Sequence, residues 1–145
     1  MAQTMSTGAE GAFHPEVRTR SDVRSWSPAY QAYQILHVAF VVAPLVAGVD
    51  KFFHFLVNWD MYLAPAVANI APGGAHGFML AVGVIEIIAG LLVAVKPRIG
   101  AYVVALWLLG IVINLLMTGN FFDIALRDFG LFLAALALAR LSQEY

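Results

Sequence analysis

Apolar residues run along this chain in four long blocks, separated by short polar or Gly/Pro-rich breaks. The blocks cover about Tyr33 to Leu56, then 76–95 ("HGFMLAVGVIEIIAGLLVAV"), 99–119 ("IGAYVVALWLLGIVINLLMTG") and 122–141 ("FDIALRDFGLFLAALALARL"). Each approaches the roughly 20 residues a helix needs to cross about 30 Å of hydrocarbon. Lipid offers the backbone no hydrogen bonds, so blocks of this kind are expected to be helices. Pro44 falls inside the first and is expected to kink it. Lys96-Pro97-Arg98 and Gly119-Asn120 are tight connections that make the last three helices antiparallel neighbours. No internal repeat is visible. The expectation is an all-α integral membrane protein, a bundle of four antiparallel transmembrane helices within residues 29–145.

Composition agrees. Of the 145 residues, 61% are hydrophobic and 12% charged, against about 25% charged in a soluble domain. The partner read from this is a lipid bilayer. A net charge of −1 leaves no basic field for nucleic acid. The absence of cysteine removes disulfides, thiol relays and Cys-ligated clusters.

Residues 1–28 are polar and mixed in charge, without the apolar core of a signal peptide. They read as a cytosolic, partly disordered tail, with Trp26 and Tyr30 as interface anchors. Arg18, Arg20, Arg24, Lys96, Arg98 and Arg140 fall on one side of such a bundle, and only Lys51 and Arg127 on the other. The positive-inside rule then places both termini in the cytosol. The segment 58–75 ("NWDMYLAPAVANIAPGGA") is half apolar and too short to span. It is expected to lie over the outer mouth of the bundle as an interfacial cap, with Trp59 and Tyr62 in it. A loop merely lying along the membrane surface is the alternative.

The candidate chemistry sits inside these apolar blocks. Asp50 and Lys51 are adjacent near the end of helix 1, with His54 one turn on. Glu86 lies near the middle of helix 2, Asn114 in the outer part of helix 3, and Asp123, Arg127 and Asp128 in helix 4. At about 1.5 Å per residue these groups fall in the same half of the bundle. Several share a helix face with small residues, as Glu86 does with Gly83 and Gly90, and Asn114 with Trp107 and Gly110. Lys51 is expected to meet Glu86 or Asp128. A guanidinium does not shed its proton, so Arg127 is expected to meet an acid across the bundle, with Asp123 on its own helix the nearest candidate, or else to reach the surface. His54 is read as a partner for Asp50.

Two readings of this network stay open. It locks four helices in register, or it forms a ligand, proton or quinone site. The insertion cost of about 2.5–3.5 kcal/mol per charge at a helix centre favours a use beyond register. No nucleophile–base arrangement and no metal-ligand spacing is present, so no catalytic or metal-binding residue is assigned. Haem is disfavoured: of His14, His37, His54 and His76, only His54 and His76 share one side of the bundle, both at helix ends, and His37 is alone near the other side.

"GVDKF" at the end of helix 1, "GVIEIIAGLLVAV" in helix 2, "KPRIGAYVVALWLLG" leading helix 3 and "FFDIALRDFGLFLAALAL" in helix 4 resemble the DoxX/DoxD-like small membrane proteins. The resemblance covers about residues 33–141. The family takes its name from a membrane subunit of a thiosulfate:quinone oxidoreductase. It implies a four-helix subunit of the bacterial inner membrane, associated with respiratory or detoxifying electron transfer. A quinone is the cofactor it suggests, and a redox protein or a homo-oligomer the assembly. Some relatives use cysteines in thiol chemistry, and this chain has none. A small-solute or proton transporter acting as an oligomer, and a purely structural scaffold, are the other functions open.

Overall fold

The computed structural model describes residues 27–145, so the N-terminal tail and Trp26 lie outside the described part. Four long helices carry it: α1 (Pro28–Phe53), α2 (Gly74–Val95), α3 (Pro97–Thr118) and α4 (Phe122–Leu141). Between α1 and α2 stand a 3₁₀ turn, Trp59–Tyr62, and a single helical turn, Pro65–Ala68. No strand occurs among the described residues.

Local chemistry sets the helix ends. Pro28 opens α1, where a missing N–H costs nothing, and Ser27 Oγ accepts the Tyr30 N–H at 3.1 Å. The helix continues through Pro44 to Phe53. It ends at His54, which takes a left-handed conformation (φ 56°) and donates its backbone N–H to the Asp50 carbonyl at 2.6 Å. Only Lys96 separates α2 from α3, because Pro97 starts a new helix at once. Gly119, with φ 74°, closes α3.

Two helix pairs form the body. α1 packs closely on α2, and α3 on α4, while the contacts between the pairs are sparser. The α1–α2 pair approaches through glycine: a Cβ on Gly48 would come within 2.7 Å of the Gly83 carbonyl oxygen, and one on Gly83 within 2.8 Å of the Gly48 oxygen. Gly110 and Gly130 behave differently. Nothing lies within 4 Å of a Cβ placed on either, so these two glycines do not mark close helix contacts, whereas Gly100 and the buried alanines Ala101, Ala105, Ala135 and Ala139 do lie in packed positions.

The core is divided accordingly. One cluster, around Phe40, Val93, Val104 and Leu138, sits towards the chain termini. A second, of Leu63, Met79 and Val82, sits under the cap segment with Trp59 and Trp107 against it. Large apolar side chains cover the outside, among them Val38, Val42, Val46 and Val49 on α1. α1, α2 and α3 are each long and apolar enough to cross a membrane, and only 17% of the most apolar window of α1 is buried inside the protein. Such surfaces suit an integral membrane protein. α4 is as long as a span but carries Asp123, Arg127, Asp128 and Arg140.

Candidate functional site

The Gly48–Gly83 contact brings the last turn of α1 against the middle of α2, and a Cβ on Gly83 would meet Lys51 Cβ at 3.1 Å. From there Lys51 reaches Glu86, with Nζ 2.6 Å from Oε2. The lysine side chain is 3% exposed and the glutamate 10%. The ammonium also lies 3.8 Å from the ring centroid of Trp59, a cation–π contact that desolvation strengthens.

Asp50, the adjacent residue, does different work. Its Oδ1 accepts the backbone N–H groups of Phe55 (2.9 Å) and Leu56 (3.0 Å), and its Oδ2 accepts the Trp59 indole N–H at 2.7 Å. The acid therefore builds the turn that leaves α1 and fixes the ring that covers the base. His54 is not its side-chain partner: that ring stacks on His76, at 5.5 Å between centroids.

Asn114 holds the cap from the other side. Its Nδ2 donates to the Tyr62 carbonyl at 2.7 Å, and its Oδ1 accepts the Ala64 N–H at 2.9 Å. One amide thus satisfies two backbone groups where the chain passes over the helix ends. Leu63 and Ala64 are buried beside it, while Ile70 is exposed. Residues 58–73 therefore form a cap of two short turns tied to α1 and α3, and 74–75 already belong to α2.

On α4, Arg127 Nε pairs with Asp128 Oδ1 at 2.9 Å. The expectation of an acid across the bundle, with Asp123 nearest, is corrected: the guanidinium turns to its own neighbour, and Asp123 is exposed in the first turn. Asp128 is 8% exposed at the side chain and Arg127 65%.

Between the helix pairs lies a cavity of about 640 Å³. Its wall is mostly apolar, with Lys51, Trp59, Glu86, Asn114, Arg127 and Asp128 as polar points. Trp107 also lines it. The indole N–H of Trp107 is buried, with the Glu86 carboxylate beside it and no well-formed hydrogen bond to any acceptor among the described residues. A buried donor without an acceptor is costly. The only trace of Trp107 in the sequence is its place on the Asn114 face, seven residues away on α3.

No protein-family model, no curated protein and no solved structure matches this chain.

Proposed function

We propose that this chain is a DoxX-like membrane subunit whose cavity holds the ring of a quinone and which serves an electron-transfer partner without catalysing the reaction itself. The observation that carries the reading is the buried Trp107 N–H, which has only the Glu86 carboxylate beside it and no well-formed hydrogen bond, in a largely apolar cavity of about 640 Å³. Ligand sites for small molecules have this character: about 300–1,000 Å³, apolar walls and a few placed polar groups. A quinone ring needs flat apolar flanks and a hydrogen-bond donor at a carbonyl oxygen. The indole N–H supplies the donor, and the outer N–H groups of Arg127 are a second source at the cavity wall. Lys51 is already engaged with Glu86, so it sets the local field rather than binding directly.

The same proposal has all four helices crossing a bacterial inner membrane, antiparallel, with both termini in the cytosol. The burial of Asp128 supports the inclusion of α4, since a charge facing the other helices does not bar a span. Because the chain has no cysteine, single cysteines at positions 2 and 145 can be probed with an impermeant maleimide on intact cells. Labelling of either from outside overturns the topology.

The ligand reading is tested on protein purified in mild detergent. Mass spectrometry of its extract is expected to find a quinone, and a short-chain quinone analogue is expected to bind saturably by calorimetry. Trp107→Phe should weaken that binding by about 3–10-fold, the worth of one hydrogen bond. A tightly held phospholipid in place of quinone, or equal affinity in Trp107→Phe, overturns it.

A further inference from the structure

Away from the cavity, three metal-ligating side chains meet where α1 ends. His54 is the last cap of α1, Asp60 lies in the Trp59–Tyr62 turn, and His76 lies in the first turn of α2. Each offers one donor atom, and these atoms all lie within 4.8 Å of one another. His54 is the only non-glycine residue with positive φ among the described residues. A side chain rarely adopts that conformation, for which glycine is preferred at a helix end. It is this turn of the backbone that accompanies the His54 ring lying against His76, with 24° between their planes. His76 Nδ1 stands 3.1 Å from Asp60 Oδ2. The other carboxylate oxygen, Asp60 Oδ1, is buried and has no hydrogen-bond partner among the described residues.

We propose that His54, Asp60 and His76 bind a divalent transition ion of the zinc class. Two imidazoles and one carboxylate form a recognised zinc donor set, with water in the fourth position. Neighbouring donors in a tetrahedral site with bonds of about 2.0–2.2 Å stand about 3.3 Å apart, and the His76–Asp60 pair is already at 3.1 Å. Imidazoles bound to one such ion have ring centroids about 5 Å apart; these are 5.5 Å apart. Rotation of the His54 ring closes the remaining gap. Two nitrogen donors favour zinc, cobalt, nickel or copper over magnesium or calcium. The His76 side chain is 58% exposed, which gives an ion a way in. Bound there, the ion joins the end of α1, the cap and the start of α2 by three covalent-strength links. The site is separate from the quinone reading and stands or falls without it.

The test uses the full chain, purified without a histidine tag, stripped with chelator and kept in mild detergent. Zinc is titrated by calorimetry and cobalt by visible absorption. One ion per chain is expected, with cobalt bands of the intensity that low-symmetry, four- or five-coordinate sites give, and a higher Tm with zinc. His54→Ala, Asp60→Asn and His76→Ala should each weaken binding by more than about tenfold, the scale on which even outer-shell changes act. His14→Ala and His37→Ala should bind as the unaltered chain does. Asp60→Asn keeps the side-chain size and decides the matter where a histidine variant fails to fold. Absence of stoichiometric binding by the unaltered chain overturns the proposal. So does binding that survives Asp60→Asn and both histidine changes, or that is lost instead with His14 or His37.

Discussion

Lys51 and Glu86 form a buried ion pair, 2.6 Å from Nζ to Oε2, between the last turn of α1 and the middle of α2. Trp59 covers the ammonium at 3.8 Å from its ring centroid, and Asp50 fixes Trp59 by accepting its indole N–H. The acid and the base that stand side by side in the sequence thus serve one construction. One shapes the chain leaving the helix, and the other is sealed beneath it.

The pair should behave as a unit. Lys51→Met alone leaves a buried carboxylate without its counter-charge and should cost about 3–5 kcal/mol. Lys51→Met combined with Glu86→Gln should cost distinctly less than the sum of the two single changes. Unfolding in detergent, read as a double-mutant cycle, checks this. Strict additivity would mean that the two charges are not coupled.

Asn114→Ala should loosen the cap and leave the helices in place. It removes one acceptor and one donor from the Ala64 N–H and the Tyr62 carbonyl. Stranding such groups costs about 1–3 kcal/mol. Hydrogen exchange should quicken over residues 58–70, with α2 and α3 unchanged. Uniform acceleration across all helices would place Asn114 in the global core instead.

Trp59→Phe keeps an aromatic face over Lys51 but deletes the donor to Asp50 Oδ2. A hydrogen bond to a charged group is worth about 1.5–3 kcal/mol, and a loss of that order is expected. Asp50→Ala should cost more than Trp59→Phe, since it also frees the Phe55 and Leu56 N–H groups. Comparison of Tm values for the two variants decides the order.

Glycine substitutions should separate packing from space. Gly48→Ala puts a methyl 2.7 Å from the Gly83 oxygen and 2.9 Å from Ile87 Cγ1, so the α1–α2 pair must move apart, at about 1–3 kcal/mol. Gly110→Ala meets nothing within 4 Å and should stay within about 0.5 kcal/mol of neutral, or stabilise slightly through helix propensity. Equal effects at the two positions would be inconsistent with the α1–α2 approach.

Helix positions were legible because the signals are local. Apolar runs of about span length, Pro97 and Gly119 mark α2, α3 and α4 to within about two residues. The apolar pattern starts α1 late, at Tyr33 rather than Pro28, because Pro28 with Ser27 is a capping signal and not an apolar one. The Lys51–Glu86 contact was legible too, since helical phase puts both charges on inward faces at similar depth. The Arg127 partner was not. Adjacent residues on a helix diverge by about 100°, and only the rotamer of a long, exposed side chain brings Arg127 back to Asp128. The meeting of His54, Asp60 and His76 was also hidden. It depends on a left-handed residue at a helix end and on the path of the cap, neither of which leaves a periodic trace.

The single residue between α2 and α3 bears on how the protein is made. With Lys96 as the whole link, and Gly100 seated so tightly that a Cβ would come within 2.5 Å of the Val93 nitrogen, the two helices have no slack to separate. Both are apolar enough to enter lipid. During synthesis they should leave the insertion machinery as one closed hairpin, with Lys96 and Arg98 held at its bend, rather than as two helices that find each other afterwards.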